Sequence, residues 1–293
     1  MIAQVFAIVA PVFVIAALGY GWARARMPFD TRMVSALVLH VGAPCLLLSQ
    51  LLARPVDLAA VAAIVAASVA VMALTALLAA AGLKALGLSL RAYVPPLIFP
   101  NTGNMGLPLC LFAFGETGLA LAIAYFAATA LLQFSLGVAI ASGRLHLRTV
   151  AGNPVLWAMV LAVVLGAFDL KLPAWVMNTL STLGGVAIPL MLLSLGTSLA
   201  TLKVAGLGRA LGFSLFRLGG GLAAALAVTA LLGLDGPARG TVLIQSAMPT
   251  AVFNYLFALQ YDNRPDDVAG IVLVSTVLSF ATLPLLLAYV LAG

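Results

Sequence analysis

Phe99-Pro100-Asn101-Thr102-Gly103-Asn104-Met105-Gly106-Leu107-Pro108 lies inside an apolar segment running from about Tyr93 to Phe114. That segment is long enough to cross a bilayer, which takes about 20 residues. Its middle does not suit an unbroken helix. Pro100 has no N–H and clashes with the preceding turn, and Gly103 and Gly106 loosen the backbone. Freed backbone groups cost several kcal/mol each in lipid, so such a break is expected inside protein or beside a water-filled cavity. Two half-helices meeting there place dipole ends and Asn and Thr side chains at mid-membrane depth, which is how transporters build substrate sites. A Pro kink in a packed helix is the alternative reading of this stretch by itself.

The surrounding chain supports a membrane setting. Its 293 residues are 64% hydrophobic and 8% charged, where a soluble domain carries about 25% charged residues. An all-α integral membrane protein is expected; the alternating segments of a membrane β-barrel are missing. Apolar runs predict ten transmembrane segments, at about 3–23, 32–52, 58–82, 93–114, 117–142, 154–170, 174–200, 207–233, 238–260 and 267–291. Met1-Ile2-Ala3-Gln4 has no basic stretch and no small-residue cleavage site, so the first segment reads as a spanning helix and not as a signal peptide.

The net charge of +6 reflects orientation and not nucleic-acid binding, because the basic residues sit in short loops. Alternate loops on one side hold Arg24, Arg26, Arg32, Lys84, Arg91, Arg144, Arg148, Lys203, Arg209 and Arg264; the other side holds Arg54, Lys171 and Arg239. The positive-inside rule then puts both termini outside the cytoplasm, in a multi-pass membrane protein.

The chain also reads as internally repeated. Pro44-Cys45-Leu46-Leu47-Leu48-Ser49 and Pro189-Leu190-Met191-Leu192-Leu193-Ser194 share the pattern P-x-x-L-L-S in the second and seventh segments. Pro100 in the fourth segment pairs with Pro249 in the ninth at nearly the same spacing. Two halves of five segments follow, 1–142 and 154–293, joined by a cytoplasmic linker at 143–153. An odd number of segments per half inverts the second half, the arrangement of many secondary transporters. The ninth segment breaks at Gln245-Ser246-Ala247-Met248-Pro249-Thr250, so both halves carry an interruption in the corresponding place.

The chemistry follows from what lies at depth. Asp30, Asp57, Glu116, Asp169, Asp235, Asp262, Asp266 and Asp267 all fall at segment ends or in loops. A proton or cation carrier relying on an intramembrane carboxylate is therefore disfavoured. An anion site needs no acid, because helix N-termini attract negative charge. The expected substrate-binding residues are Pro100, Asn101, Thr102, Gly103, Asn104, Gln133, Gln245, Pro249, Thr250 and Asn254. Gln133 also reads as an interhelical hydrogen bond. His40 reads as a titrating group or, more simply, a packing histidine. Arg217 reads as snorkelling toward the cytoplasmic surface, with anion binding as the second reading. Gly219-Gly220-Gly221 reads as close helix packing. Cys45 and Cys110 form no disulfide framework, no metal-ligand spacing or cofactor motif is visible, and no enzyme motif or Walker A sequence appears.

With the pattern F-P-N-T-G-N-x-G-L-P at 99–108 and the second Pro break, the chain resembles the auxin efflux carrier family, which includes plant auxin carriers and bacterial organic-acid carriers such as malonate transporters. The resemblance covers essentially the whole chain. It implies a fold similar to sodium/bile-acid symporters and sodium/proton antiporters. A scaffold of segments 1, 2, 6 and 7 would stand beside a transport group of segments 3–5 and 8–10, and broken segments 4 and 9 would cross. It also implies an elevator mechanism and a homodimer paired through the scaffold. In the plant members a Pro-Asn pair at each break contacts the substrate carboxylate. The first pair carries over as Pro100-Asn101, whereas the second is Pro249-Thr250, a departure that points to a smaller organic acid. The plant span-5 glutamine corresponds to Gln133. Together these readings predict a secondary transporter of a mono- or dicarboxylate, with proton or sodium coupling open. The alternative is a sodium-coupled organic-anion symporter of the bile-acid type.

Overall fold

The computed structural model describes residues 2–52, 58–144, 152, 154–168, 170–202 and 206–292, which are helical apart from connecting turns and one isolated antiparallel bridge. The expected linker at 143–153 lies mostly outside the described residues, as do Arg54, Asp57, Arg148, Asp169 and Lys203. The helices are α1 (Ile2–Arg24), α2 (Thr31–Leu37), α3 (Ala43–Leu52), α4 (Leu58–Ala85), α5 (Leu90–Ile98), α6 (Leu107–Leu132), α7 (Val138–Ser142), α8 (Pro154–Ala167), α9 (Ala174–Gly185), α10 (Ala187–Thr201), α11 (Leu207–Leu215), α12 (Gly221–Leu231), α13 (Gly236–Ser246), α14 (Val252–Gln260) and α15 (Pro265–Ala292). Wider π-helical turns join α2 to α3 (Val38–Gly42), lead into α6 (Thr102–Gly106), and join α6 to α7 (Gln133–Gly137) and α11 to α12 (Phe216–Gly220).

Among the described residues, seven helical stretches are long and apolar enough to cross a membrane, against the ten segments expected. Three physical causes separate the numbers. The segments around Pro100 and Pro249 are broken, so no half of either meets that length by itself before its break. Pro154–Ala167 has only 14 residues. Residues 102–142 form one helical run of 41 residues, about twice the length that a bilayer core accommodates. That run bends at Gly115, whose φ of 63° and ψ of −153° are non-helical.

Packing sorts the helices into two groups. In one, α1 lies along α10, and α3 lies against α8 and α9. Backbones approach closely here because small residues face each other: a side chain on Gly196 would collide with the Ala16 carbonyl, and one on Gly19 with the Leu193 carbonyl. In the other group α4 packs on α5, α6 and α12, while α11 packs on α15 and α13 on α6. The ends are tied by polar contacts. Tyr93 donates to Asp267 at 2.5 Å and Arg209 pairs with Asp267 at 3.0 Å. Asn263 donates to the Ala141 carbonyl at 2.7 Å. These contacts gather the segments near Arg91, Arg144, Arg209 and Arg264 at one end, referred to below as the basic end. Arg239 bonds Tyr289 at 2.7 Å, joining the start of α13 to the last turns of α15.

Gly196→Ala is expected to lower apparent stability by ~1–3 kcal/mol through overpacking of α1 on α10. Gly21→Ala, where a Cβ meets nothing within 4 Å, is expected to be near neutral. Thermal unfolding in detergent checks both.

Candidate functional site

The helical ladder stops at Phe99–Asn101 in the first broken segment and at Ala247–Ala251 in the second. The two breaks are joined to each other. Pro100 and Thr250 form the antiparallel bridge; Asn101 N–H donates to the Pro249 carbonyl at 2.7 Å and Ala251 N–H to the Phe99 carbonyl at 3.1 Å. Asn101 sits at φ −79°, ψ 60°, and Thr102 N–H donates to the Pro100 carbonyl at 2.9 Å. This is an inverse γ-turn centred on Asn101.

Each proline orphans carbonyls upstream, and the structure satisfies them one at a time. In an unbroken helix the Pro96 carbonyl accepts from residue 100, which here has no N–H. The Thr250 hydroxyl takes that place at 2.8 Å. The Leu97 carbonyl loses its helical partner because Asn101 N–H has gone to Pro249. The Ser246 carbonyl loses its own because Thr250 N–H donates to Ser275 Oγ at 3.1 Å. Leu97 and Ser246 each lie three residues before a break proline. One guanidinium serves both: Arg217 donates to the Leu97 carbonyl at 2.7 Å and to the Ser246 carbonyl. Arg217 is 1% exposed and forms no ion pair among the described residues. The snorkelling expected from sequence is therefore corrected: carbonyls at two helix C-termini, with their negative dipole ends, hold the cation inside the protein. Within the glycine run that follows, Gly221 makes this possible, since a Cβ there would collide with both the guanidinium and the Ser246 carbonyl, whereas Gly219 faces open space.

On the other side of the breaks lies a cavity of about 260 Å³. Its lining includes Pro100, Asn101, Thr102, Gly103, Asn104 and Gln133 of the expected residues, together with Ala251, Val252 and Phe253. A helix leaves its first N–H groups without intrahelical partners, and Gly103, Asn104, Val252 and Phe253 are the residues at those positions. Asn101 is 4% exposed, and its Nδ2 has no hydrogen-bond partner. Among the described residues, no Asp, Glu, Lys, Arg or His lines the cavity. Gln133 donates to Asn254 Oδ1 at 3.2 Å, and Asn254 Nδ2 donates to the Phe99 carbonyl at 3.1 Å. Thr102 and Thr129 hydroxyls meet at 3.1 Å.

The remaining expected residues fall elsewhere. Thr250, Pro249 and Asn254 do not line the cavity; Thr250 and Asn254 hold the break backbone instead. Gln245 donates to the Ala122 carbonyl at 3.3 Å and packs against Gly106 behind the break. His40 is exposed, bonded at 2.9 Å to its own helix through the Ala36 carbonyl, and away from the cavity. The sequence reading missed Thr31, Ser35, Ser194, Ser198 and Thr201, hydroxyl residues along the cavity wall on α2 and α10. Ser194 was visible only as the last residue of the repeated P-x-x-L-L-S. The cavity runs from the breaks to Thr31, Thr201 and Leu259, which adjoin the loops of the basic end.

Broken helices bordering a cavity are the way membrane transport proteins build substrate sites. The chain belongs to the auxin efflux carrier family: the family model, described as a membrane transport protein, matches residues 4–150 and 141–287. A protein named as an uncharacterized transporter from Methanocaldococcus jannaschii is 31% identical over 196 residues, 63% of each chain. Another uncharacterized transporter, from Methanothermobacter thermautotrophicus, is 31% identical over 202 residues, again 63% of each. The chain thus spans just under two thirds of the length of these relatives.

Arg217→Met is expected to leave two buried carbonyls unsatisfied, at about 1–3 kcal/mol for each. Thr250→Val leaves one. Both substitutions are expected to lower the melting temperature, Arg217→Met by more, while Thr250→Val leaves ligand affinity within about two-fold.

Proposed function

We propose that this protein is a secondary transporter of a small organic anion, a mono- or dicarboxylate, which binds at the junction of the two breaks. The observation that carries the reading is the buried, unpartnered Nδ2 of Asn101, a residue of a cavity that two helix N-termini border and that no charged side chain lines among the described residues. A carboxylate supplies the acceptor that this donor lacks, and the N-terminal dipole ends stabilise its charge.

The ten-segment, inverted-repeat arrangement belongs to this proposal. It is supported by the matched places of Leu97 and Ser246 before Pro100 and Pro249, and by the packing of α1 on α10 and of α3 on α8. In this reading segments 1, 2, 6 and 7 are the scaffold, and segments 3–5 and 8–10 move against it as in an elevator. In this reading the cavity, which reaches the basic end, opens to the cytoplasm under the positive-inside rule. Pairing of two copies through the scaffold extends the same reading.

The sodium-coupled alternative has less support. Sodium sites in such folds draw on unwound carbonyls and half-helix C-termini. Here the Leu97 and Ser246 carbonyls at those C-termini already accept from the fixed charge of Arg217.

Asn101→Ala is expected to weaken binding of the transported acid by roughly ten- to a hundred-fold, since hydrogen bonds to charged groups are worth about 1.5–3 kcal/mol. Asn178→Ala, on exposed helix α9, serves as control. Ligand-induced thermal stabilisation measures both. Unchanged binding and transport in folded Asn101→Ala protein would place the site elsewhere.

A further inference from the structure

A second unpartnered donor belongs to a residue that α10 contributes to the cavity wall. Ser194 of α10 is 7% exposed, lines the cavity, and its Oγ has no hydrogen-bond partner. A helical serine ordinarily satisfies itself by bonding back to a carbonyl one turn earlier. Ser49, in the matching P-x-x-L-L-S, does so: its hydroxyl donates to the Leu46 carbonyl at 3.0 Å, and it does not line the cavity. Thr197 and Thr201 on α10 also bond back, to the Ser194 and Ser198 carbonyls, both at 3.0 Å. Ser194 therefore differs from its repeat partner Ser49 and from Thr197 and Thr201 of its own helix. Helix α10 packs against the π-helical turn that follows Asn101, and Asn101 and Ser194 both line the cavity.

We propose that Ser194 is a specificity-determining residue that donates to a second oxygen of the bound anion while Asn101 holds its carboxylate. The inference rests on the anion site proposed above and deepens it. It assigns the substrate to small acids carrying a further hydroxyl, carbonyl or carboxylate oxygen, in preference to simple alkyl monocarboxylates. A buried donor left unsatisfied discriminates against the analogue that lacks the acceptor. Because α10 and the breaks lie in different packing groups, a substrate held by both also bridges the two parts that move in the proposed cycle.

The test uses the full chain in lipid nanodiscs with three probes of one carbon length: propanoate, lactate and malonate. Wild type is expected to bind lactate or malonate about ten-fold more tightly than propanoate. Ser194→Ala is expected to abolish that preference while leaving propanoate within about two-fold. Ser49→Ala is expected to change none of the three, and Asn101→Ala to weaken all of them. A preference that survives in Ser194→Ala, or that is lost equally in Ser49→Ala, overturns the role of Ser194. So does a wild type without preference whose Asn101→Ala variant still binds all three more weakly, and in that case the anion site itself stands. Absence of any acid binding to wild type, or Asn101→Ala without effect, contradicts both proposals.

Discussion

The structure depends on how two prolines inside apolar runs are accommodated. A proline in a helix frees a carbonyl on one side of the break and opens a new helix N-terminus on the other. Alone, either break would strand polar groups in a medium that has no water to satisfy them. Placed back to back, the breaks solve most of the problem between them through the Pro100–Thr250 bridge. Two carbonyls remain, and the buried guanidinium of Arg217 closes both. A cation suits that position because both carbonyls belong to helix C-termini. The amide side of the same breaks is left bordering a cavity, with Asn101 Nδ2 unpartnered. One constraint thus produces a sealed carbonyl face and an open amide face.

The two residues that follow the prolines show how chemically similar positions diverge. Asn101 is held by its backbone, in an inverse γ-turn whose N–H is fixed on Pro249, so its side chain stays free. Thr250 is held by both its backbone and its hydroxyl, the latter filling the acceptor that Pro100 leaves on Pro96. Threonine suits this task because a short hydroxyl reaches a neighbouring carbonyl and needs no second partner. Under the proposed function the departure from a Pro-Asn pair changes which residue meets substrate, and one break supplies the side chain while both supply helix ends.

Much of this architecture was legible in the sequence. Pro100 and Pro249 interrupt otherwise apolar runs, and the absence of acids at depth pointed to an anion before any geometry was known. Of the residues expected to bind substrate, Asn101, Thr102, Gly103, Asn104 and Gln133 border the cavity. What the sequence left hidden is direction. Arg217 reads as a snorkelling side chain until the partners that hold it, Leu97 and Ser246, are brought together from distant parts of the chain. Gln245 and Thr250 stand beside the second break in sequence, yet their side chains turn to the packed side. Ser194 lies in a leucine-rich motif, and only the contrast with self-bonded Ser49 distinguishes it. The number of intact membrane-length helices also escaped sequence reading, because a break converts one apolar run into two short helices.

The most direct test of the central claim is an experimental structure of the protein with a bound carboxylate, lactate or malonate. The account predicts a carboxylate oxygen about 3 Å from Asn101 Nδ2, beside the first-turn residues Gly103, Asn104, Val252 and Phe253, with Arg217 still bridging Leu97 and Ser246. A carboxylate seated instead on the Arg217 guanidinium, with those two carbonyls released, would contradict it.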